Sequence, residues 1–139
     1  MRRGIGPLVG TGLACAAAFA LAGCSGDRDS GEGRKIEAVV KRFALASGPE
    51  ACSLMTPKAV TTVYGRGSLD PAVGRARCVA ASKKFSGEAV AVTFVKITDS
   101  STANATAKTS GGRRYFKVAL QKTRGRWLIS SVAPAQRPG

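Results

Sequence analysis

Near residue 85 the chain changes its hydrophobic period, and that change narrows the folds open to it. Before it, Ile36, Val39, Val40, Phe43 and Ala44 stand at offsets 0, 3, 4, 7 and 8, one face of an amphipathic helix. The spacing predicts a helix over 34–47, ended by Gly48-Pro49. A short helical turn is expected over 49–55, around Cys52. Thr56-Pro57 and Asp70-Pro71 are N-cap and first-turn pairs and predict two further helices. One runs to Tyr64 and stops at Gly65; the other passes through Cys78 towards Lys84. Beyond the change, β-branched residues alternate. Residues 88–98 read as a strand with Val90, Val92 and Phe94 on one face and Ala91, Val95 and Ile97 on the other. Strands are also expected over 102–109, 114–121 and 127–132, with turns at Asp99-Ser100-Ser101, Ser110-Gly111-Gly112 and Arg124-Gly125. Helices followed by strands predict an α+β domain, with N-terminal helices packed on one face of a four-stranded antiparallel sheet.

Ahead of this domain lies a different kind of sequence. Arg2 and Arg3 are followed by an uncharged stretch from Ile5 to Ala22, the charge-then-apolar order of a secretory signal. Gly6, Pro7, Gly10 and Gly12 make it a poor permanent span, which needs about 20 strongly apolar residues. The Arg2-Arg3 pair lacks the surroundings of a twin-arginine signal. Leu21-Ala22-Gly23-Cys24 resembles the lipobox of bacterial lipoproteins: an aliphatic residue, two small ones, and the cysteine that receives the lipid. The resemblance implies cleavage before Cys24 and acylation of its thiol. The expected organisation is a signal peptide over 1–23, a lipidated cysteine and flexible tether over 24–33, a domain over 34–133 and a tail over 134–139. The tether, Ser-Gly-Asp-Arg-Asp-Ser-Gly-Glu-Gly after Cys24, would span at most about 30 Å.

The four cysteines fit export. Cys15 lies in the signal and Cys24 takes the lipid, which leaves Cys52 and Cys78, 26 positions apart. In an oxidising compartment a leftover pair is expected to form a disulfide, stapling the third long helix to the segment around Cys52. A loop of that size is worth roughly 3–4 kcal/mol in the chain-entropy picture.

The 139 residues hold 22 Lys and Arg against 8 Asp and Glu, a net charge of +14. Loss of the signal leaves 20 against 8, or +12. Such a balance favours anionic partners, although a solvated basic surface with no dedicated partner has the same composition. Lys83, Lys84, Arg113, Arg114 and Lys117 are the candidate contacts for anionic lipid or wall polymer. Near a membrane each adds roughly 1 kcal/mol to the anchor. Export argues against nucleic acid.

Little in the sequence points to catalysis. Histidine is absent, which removes the commonest general base and metal ligand. Asp27, Asp29 and Glu32 fall in the tether, Glu50 in a first helical turn, Asp70 at an N-cap and Asp99 in a turn. Only Glu37 and Glu88 are left without a structural role. No metal site, cofactor or catalytic group is expected, and Asn104-Ala105-Thr106 is a chance sequon. Phe43, Tyr64, Phe94, Phe116 and Trp127 are assigned to the core.

Phe43-Ala44, the segments Cys52-Ser53-Leu54-Met55-Thr56 and Cys78-Val79-Ala80-Ala81, and the closing Gly125-Arg126-Trp127-Leu128-Ile129-Ser130-Ser131-Val132 together resemble the NTF2-like superfamily, in particular small lipoproteins of high-GC Gram-positive bacteria. The resemblance covers roughly residues 34–133. It implies a cone, a curved sheet closed over by helices, often with an apolar pocket. Enzymes of the superfamily carry an Asp–His or similar pair there, and this sequence departs from that pattern. The expectation is a non-enzymatic binding or interaction module of the cell envelope, lipid-anchored to the outer face of the membrane. It would take a small apolar ligand in its pocket, or use its surface to dock an envelope protein or an anionic polymer; an NTF2-like enzyme dependent on Glu37 or Glu88 is the third reading.

Overall fold

The computed structural model describes residues 26–84 and 87–137. The signal segment and the Leu21-Ala22-Gly23-Cys24 motif lie outside the described residues. Four helices come first: α1 (Gly31–Leu45), α2 (Pro49–Ser53), α3 (Pro57–Tyr64) and α4 (Pro71–Ser82). Cap chemistry fixes where they start. Thr56 Oγ1 accepts from the Ala59 N–H at 3.1 Å and Asp70 Oδ1 from the Ala72 N–H at 2.9 Å, each with a proline at the first helical position. The strands β1 (Val90–Ile97), β2 (Thr102–Thr109), β3 (Tyr115–Thr123) and β4 (Arg126–Ala135) then form an antiparallel sheet in chain order. The fold is α+β. The helix α1 lies across β1, β2 and β4, while α2 and α3 pack on α4, and α3 also reaches β4.

The main core joins Ile36 and Val40 of α1 to Val95, Leu120, Trp127 and Ile129 of the sheet. Ile36, Val95, Leu120 and Ile129 are buried almost completely, and each contributes roughly 1.5–3 kcal/mol. On β2 the inward residues are Ala103, Ala105 and Ala107. They share one cluster with Ile36 and Val40 of α1. Cys52 and Cys78 are bonded, with Cα atoms 6.0 Å apart, and tie α2 to α4. Beside them Ser82 Oγ lies within hydrogen-bond distance of the Cys78 carbonyl of α4, at 2.7 Å, and of the Gly48 carbonyl in the α1–α2 connection, at 3.0 Å.

Each sheet edge is covered over part of its length. The Asp27 N–H donates to the Val95 carbonyl at 2.7 Å, Asp27 Oδ2 accepts from the Ile97 N–H at 2.8 Å, and Arg28 Nη1 donates to the Val92 carbonyl at 3.0 Å. At the other edge the Thr56 N–H donates to the Ile129 carbonyl and the Ile129 N–H to the Leu54 carbonyl, both at 2.8 Å. The backbone groups satisfied in this way offer no template for another strand.

Three expectations change. Residues 26–33 are not a loose tether: they close the β1 edge, and α1 starts at Gly31 under a Ser30 cap. Their glycines serve close approach. A Cβ on Gly26 would strike the Val95 carbonyl oxygen, and one on Gly33 the Asp27 carbonyl oxygen. The faces of β1 also differ from strict alternation. A bulge between Val92 and Phe94 inserts Thr93, so Val92 and Val95 both face the core and Phe94 faces out. Finally, β4 runs to Ala135 and includes Pro134 opposite Phe116. A proline is tolerated there because β4 is an edge strand.

Candidate functional site

Between the helices and one end of the sheet lies a cleft of about 590 Å³, within the range of small-molecule sites. Phe43 of α1, Ala107 of β2, Val118 of β3 and Val132 of β4 line it from two sides, with Met55 and Tyr64 from the helical side. A second β-bulge, between Leu120 and Ala119, skips Ser130 on β4. It brings Val132 opposite Val118, on the helix-facing side. Val132 keeps 44 % of its surface exposed there because it faces the cleft.

The charged groups of the lining are Lys84, Glu88 and Arg114; Glu88 and Arg114 come from one end of the sheet, and Lys84 from the chain that leads from α4 towards it. Lys84 follows α4, Glu88 leads into β1 and Arg114 leads into β3. Arg114 Nη2 donates to Glu88 Oε2 at 2.8 Å. The β2–β3 hairpin positions the pair. The Thr109 N–H donates to the Arg114 carbonyl at 2.9 Å, and Ser110 Oγ donates to the Ala89 carbonyl at 2.8 Å. The site is therefore an apolar cleft with a charged rim at one end.

The five basic candidates do not form one patch. Lys84 and Arg114 both line the cleft. Lys83 is the exposed C-cap of α4. Arg113 lies in the hairpin turn, beside a second groove with Tyr115, Pro134 and Arg137. Lys117 faces away from the helices, because its neighbours Phe116 and Val118 take the inward positions on the pleat. Lys96 and Lys108 share that outer face, aligned through β2 and β3.

The remaining acids are engaged. Glu37 pairs with Lys41 at 2.6 Å and Glu50 with Arg42 at 2.7 Å. Asp99 caps its turn, accepting from the side chain of Thr102 and the backbone of Ser101. Those bonds, that from the Thr102 hydroxyl foremost, lower its pKa from 3.8 to about 2. Glu32, expected in the tether, belongs to the first turn of α1 and bonds to Trp127, Lys122 and Lys35. Sequence reasoning missed the Glu88–Arg114 pair, because the partners are 26 positions apart and meet only once the hairpin forms. Among the described residues no group of three or more His, Cys, Asp or Glu side chains is placed to hold a metal ion, and no helix is long and apolar enough to cross a membrane. No protein-family model matches the chain, and no curated protein or solved structure matches it either.

Proposed function

We propose that the chain is an extracytoplasmic bacterial lipoprotein, anchored through lipid on Cys24, whose domain is a non-enzymatic binding module of the cell envelope. The observation that carries the binding role is the apolar cleft with its charges gathered at one end. The Cys52–Cys78 bond supports an oxidising compartment. The order of helices and strands, with a cleft between the layers, supports the NTF2-like reading. The non-enzymatic reading is supported by the occupation of the two acids that sequence left unassigned: Glu37 is paired with Lys41, and Glu88 with Arg114. Metabolic labelling with an alkyne-bearing fatty acid tests the anchor. Label on the wild-type chain and none on Cys24→Ala is expected. Equal label on both would end the lipoprotein reading.

A second reading rests on the other side of the sheet. The four strands contain no Asp or Glu, and Lys96, Lys108 and Lys117 stand on the outer face. This favours docking of anionic lipid, wall polymer or an acidic envelope protein there. It predicts salt-sensitive retention of Cys24→Ala in the membrane fraction, and salt-insensitive retention contradicts it.

A further inference from the structure

We infer that the cleft takes a single-chain anionic amphiphile, its hydrocarbon chain between Phe43, Val118 and Val132 and its acidic head group on Lys84 and Arg114. The inference rests on the ligand-cleft reading above and adds the class of ligand.

Polarity is the first support. The lining is apolar or uncharged except for Lys84, Glu88 and Arg114; Arg114 and Glu88 are bonded at the end of the sheet where β1 begins, and Lys84 lies on the connection that leads into β1. A complementary ligand is apolar along its length and charged at one end. Sign is the second. The lining carries two cations and one anion, and Lys84 has no ion-pair partner among the described residues. Glu88 engages one terminal nitrogen of Arg114, while a guanidinium offers five N–H donors in a fork suited to oxyanions. A carboxylate or phosphate head is matched by this rim, whereas an ammonium head meets two like charges. Size is the third. A cleft of about 590 Å³ is in the range of one small ligand.

Glu88 gains a role in this arrangement. It competes with the head group for Arg114, so it weakens binding of anions and leaves neutral chains unaffected. The shared chemistry is an oxyanion on one chain, whether a free fatty acid or a phosphate-bearing lipid supplies it.

The test is native mass spectrometry of the full chain in a neutral detergent, with tetradecanoate, tetradecyl phosphate and tetradecanol as probes. One anionic probe per chain is expected to bind, more tightly than the alcohol. The double variant Lys84→Ala/Arg114→Ala, at two exposed positions, weakens the anions roughly tenfold, the scale of one charge-assisted hydrogen bond, and leaves the alcohol unchanged. Glu88→Gln strengthens the anions only. Preference for the carboxylate points to a free fatty acid and preference for the phosphate to a phosphate-bearing lipid. Equal binding of alcohol and anions, or anion binding unmoved in the double variant, overturns this inference and leaves the ligand-cleft reading standing. Failure of all three probes to bind the wild-type chain overturns both.

Discussion

Trp127 Nε1 donates to Glu32 Oε2 at 2.7 Å, joining β4 to the first turn of α1 across 95 positions of sequence. Lys122 Nζ donates to the same oxygen at 3.0 Å, and Lys35 Nζ to Oε1 at 3.0 Å. Lys122 also lies 5.7 Å from the Trp127 ring centroid, within reach of a cation–π contact. These donors, the indole first among them, hold the Glu32 carboxyl at about 2, below its ordinary 4.5. The segment that reads as a linker is thus fastened to the last strand.

That bond sets a pH dependence. A carboxyl whose pKa is depressed on folding stabilises the fold fully above its unfolded value and loses this as pH falls through the folded one. The window here runs from about 4.5 down to about 2. Glu32→Gln is expected to lower the melting temperature at neutral pH, with the gap to wild type closing across that window. The window of Asp99, from 3.8 to about 2, overlaps it, but Asp99 is present in both chains and cancels in the comparison. Circular dichroism melts at a series of pH values check this, and a gap that persists at the acid end counts against it.

The disulfide is expected to carry much of the stability of the helical layer. Replacing both cysteines, Cys52→Ala/Cys78→Ala, leaves neither partner of the bond unpaired and is predicted to cost roughly 3 kcal/mol. Urea denaturation of the two chains measures it. A loss below about 1 kcal/mol would mean that other contacts hold α2 to α4.

The bulge at Thr93 gives neighbouring residues opposite fates. Val95 is completely buried and Phe94 is 38 % exposed. Val95→Thr places a hydroxyl in the core and is expected to cost roughly 1–3 kcal/mol. Phe94→Thr should cost less, under about 1 kcal/mol. Strict alternation along β1 puts the two on opposite faces with no bulge and places Phe94 beside Val92, so a larger loss at Phe94 would contradict the observed register.

The covering of the β1 edge makes a prediction about glycines. Gly26 has a φ of 65° and no room for a Cβ. Gly26→Ala should cost at least about 1–2 kcal/mol from backbone conformation alone. Gly33→Ala meets the Asp27 carbonyl and is also expected to destabilise, whereas Gly31→Ala has open space and should be nearly neutral. Thermal melts of the three variants decide it. If all three match wild type, residues 26–33 are a free linker.

The two halves of the fold were legible because their signals are local. The 3.6-residue spacing of Ile36, Val40 and Phe43, the Thr56-Pro57 and Asp70-Pro71 starts and the Ser110-Gly111-Gly112 turn each act within a few residues. What escaped is set by distant partners. Glycines in 26–33 look like flexibility in sequence, and only the approach of Val95 shows them to be a packing requirement. The bulges at Thr93 and Ser130 change which residues face inward with no mark in the local pattern. In the candidate site, Lys84 and Arg114 were visible as charges. Their convergence on one cleft, with Glu88 between β1 and the hairpin, needed the sheet register.

The measurement that bears most directly on the proposed function is the native mass of the chain released gently from its own membrane. The account predicts a chain beginning at Cys24, heavier by a covalent lipid and lighter by the two hydrogens of a Cys52–Cys78 bond, with a non-covalent adduct. It also predicts loss of that adduct in Val132→Trp, where the indole fills the cleft. A chain without covalent lipid, or one that shows no adduct or keeps it unchanged in the filled variant, would contradict it.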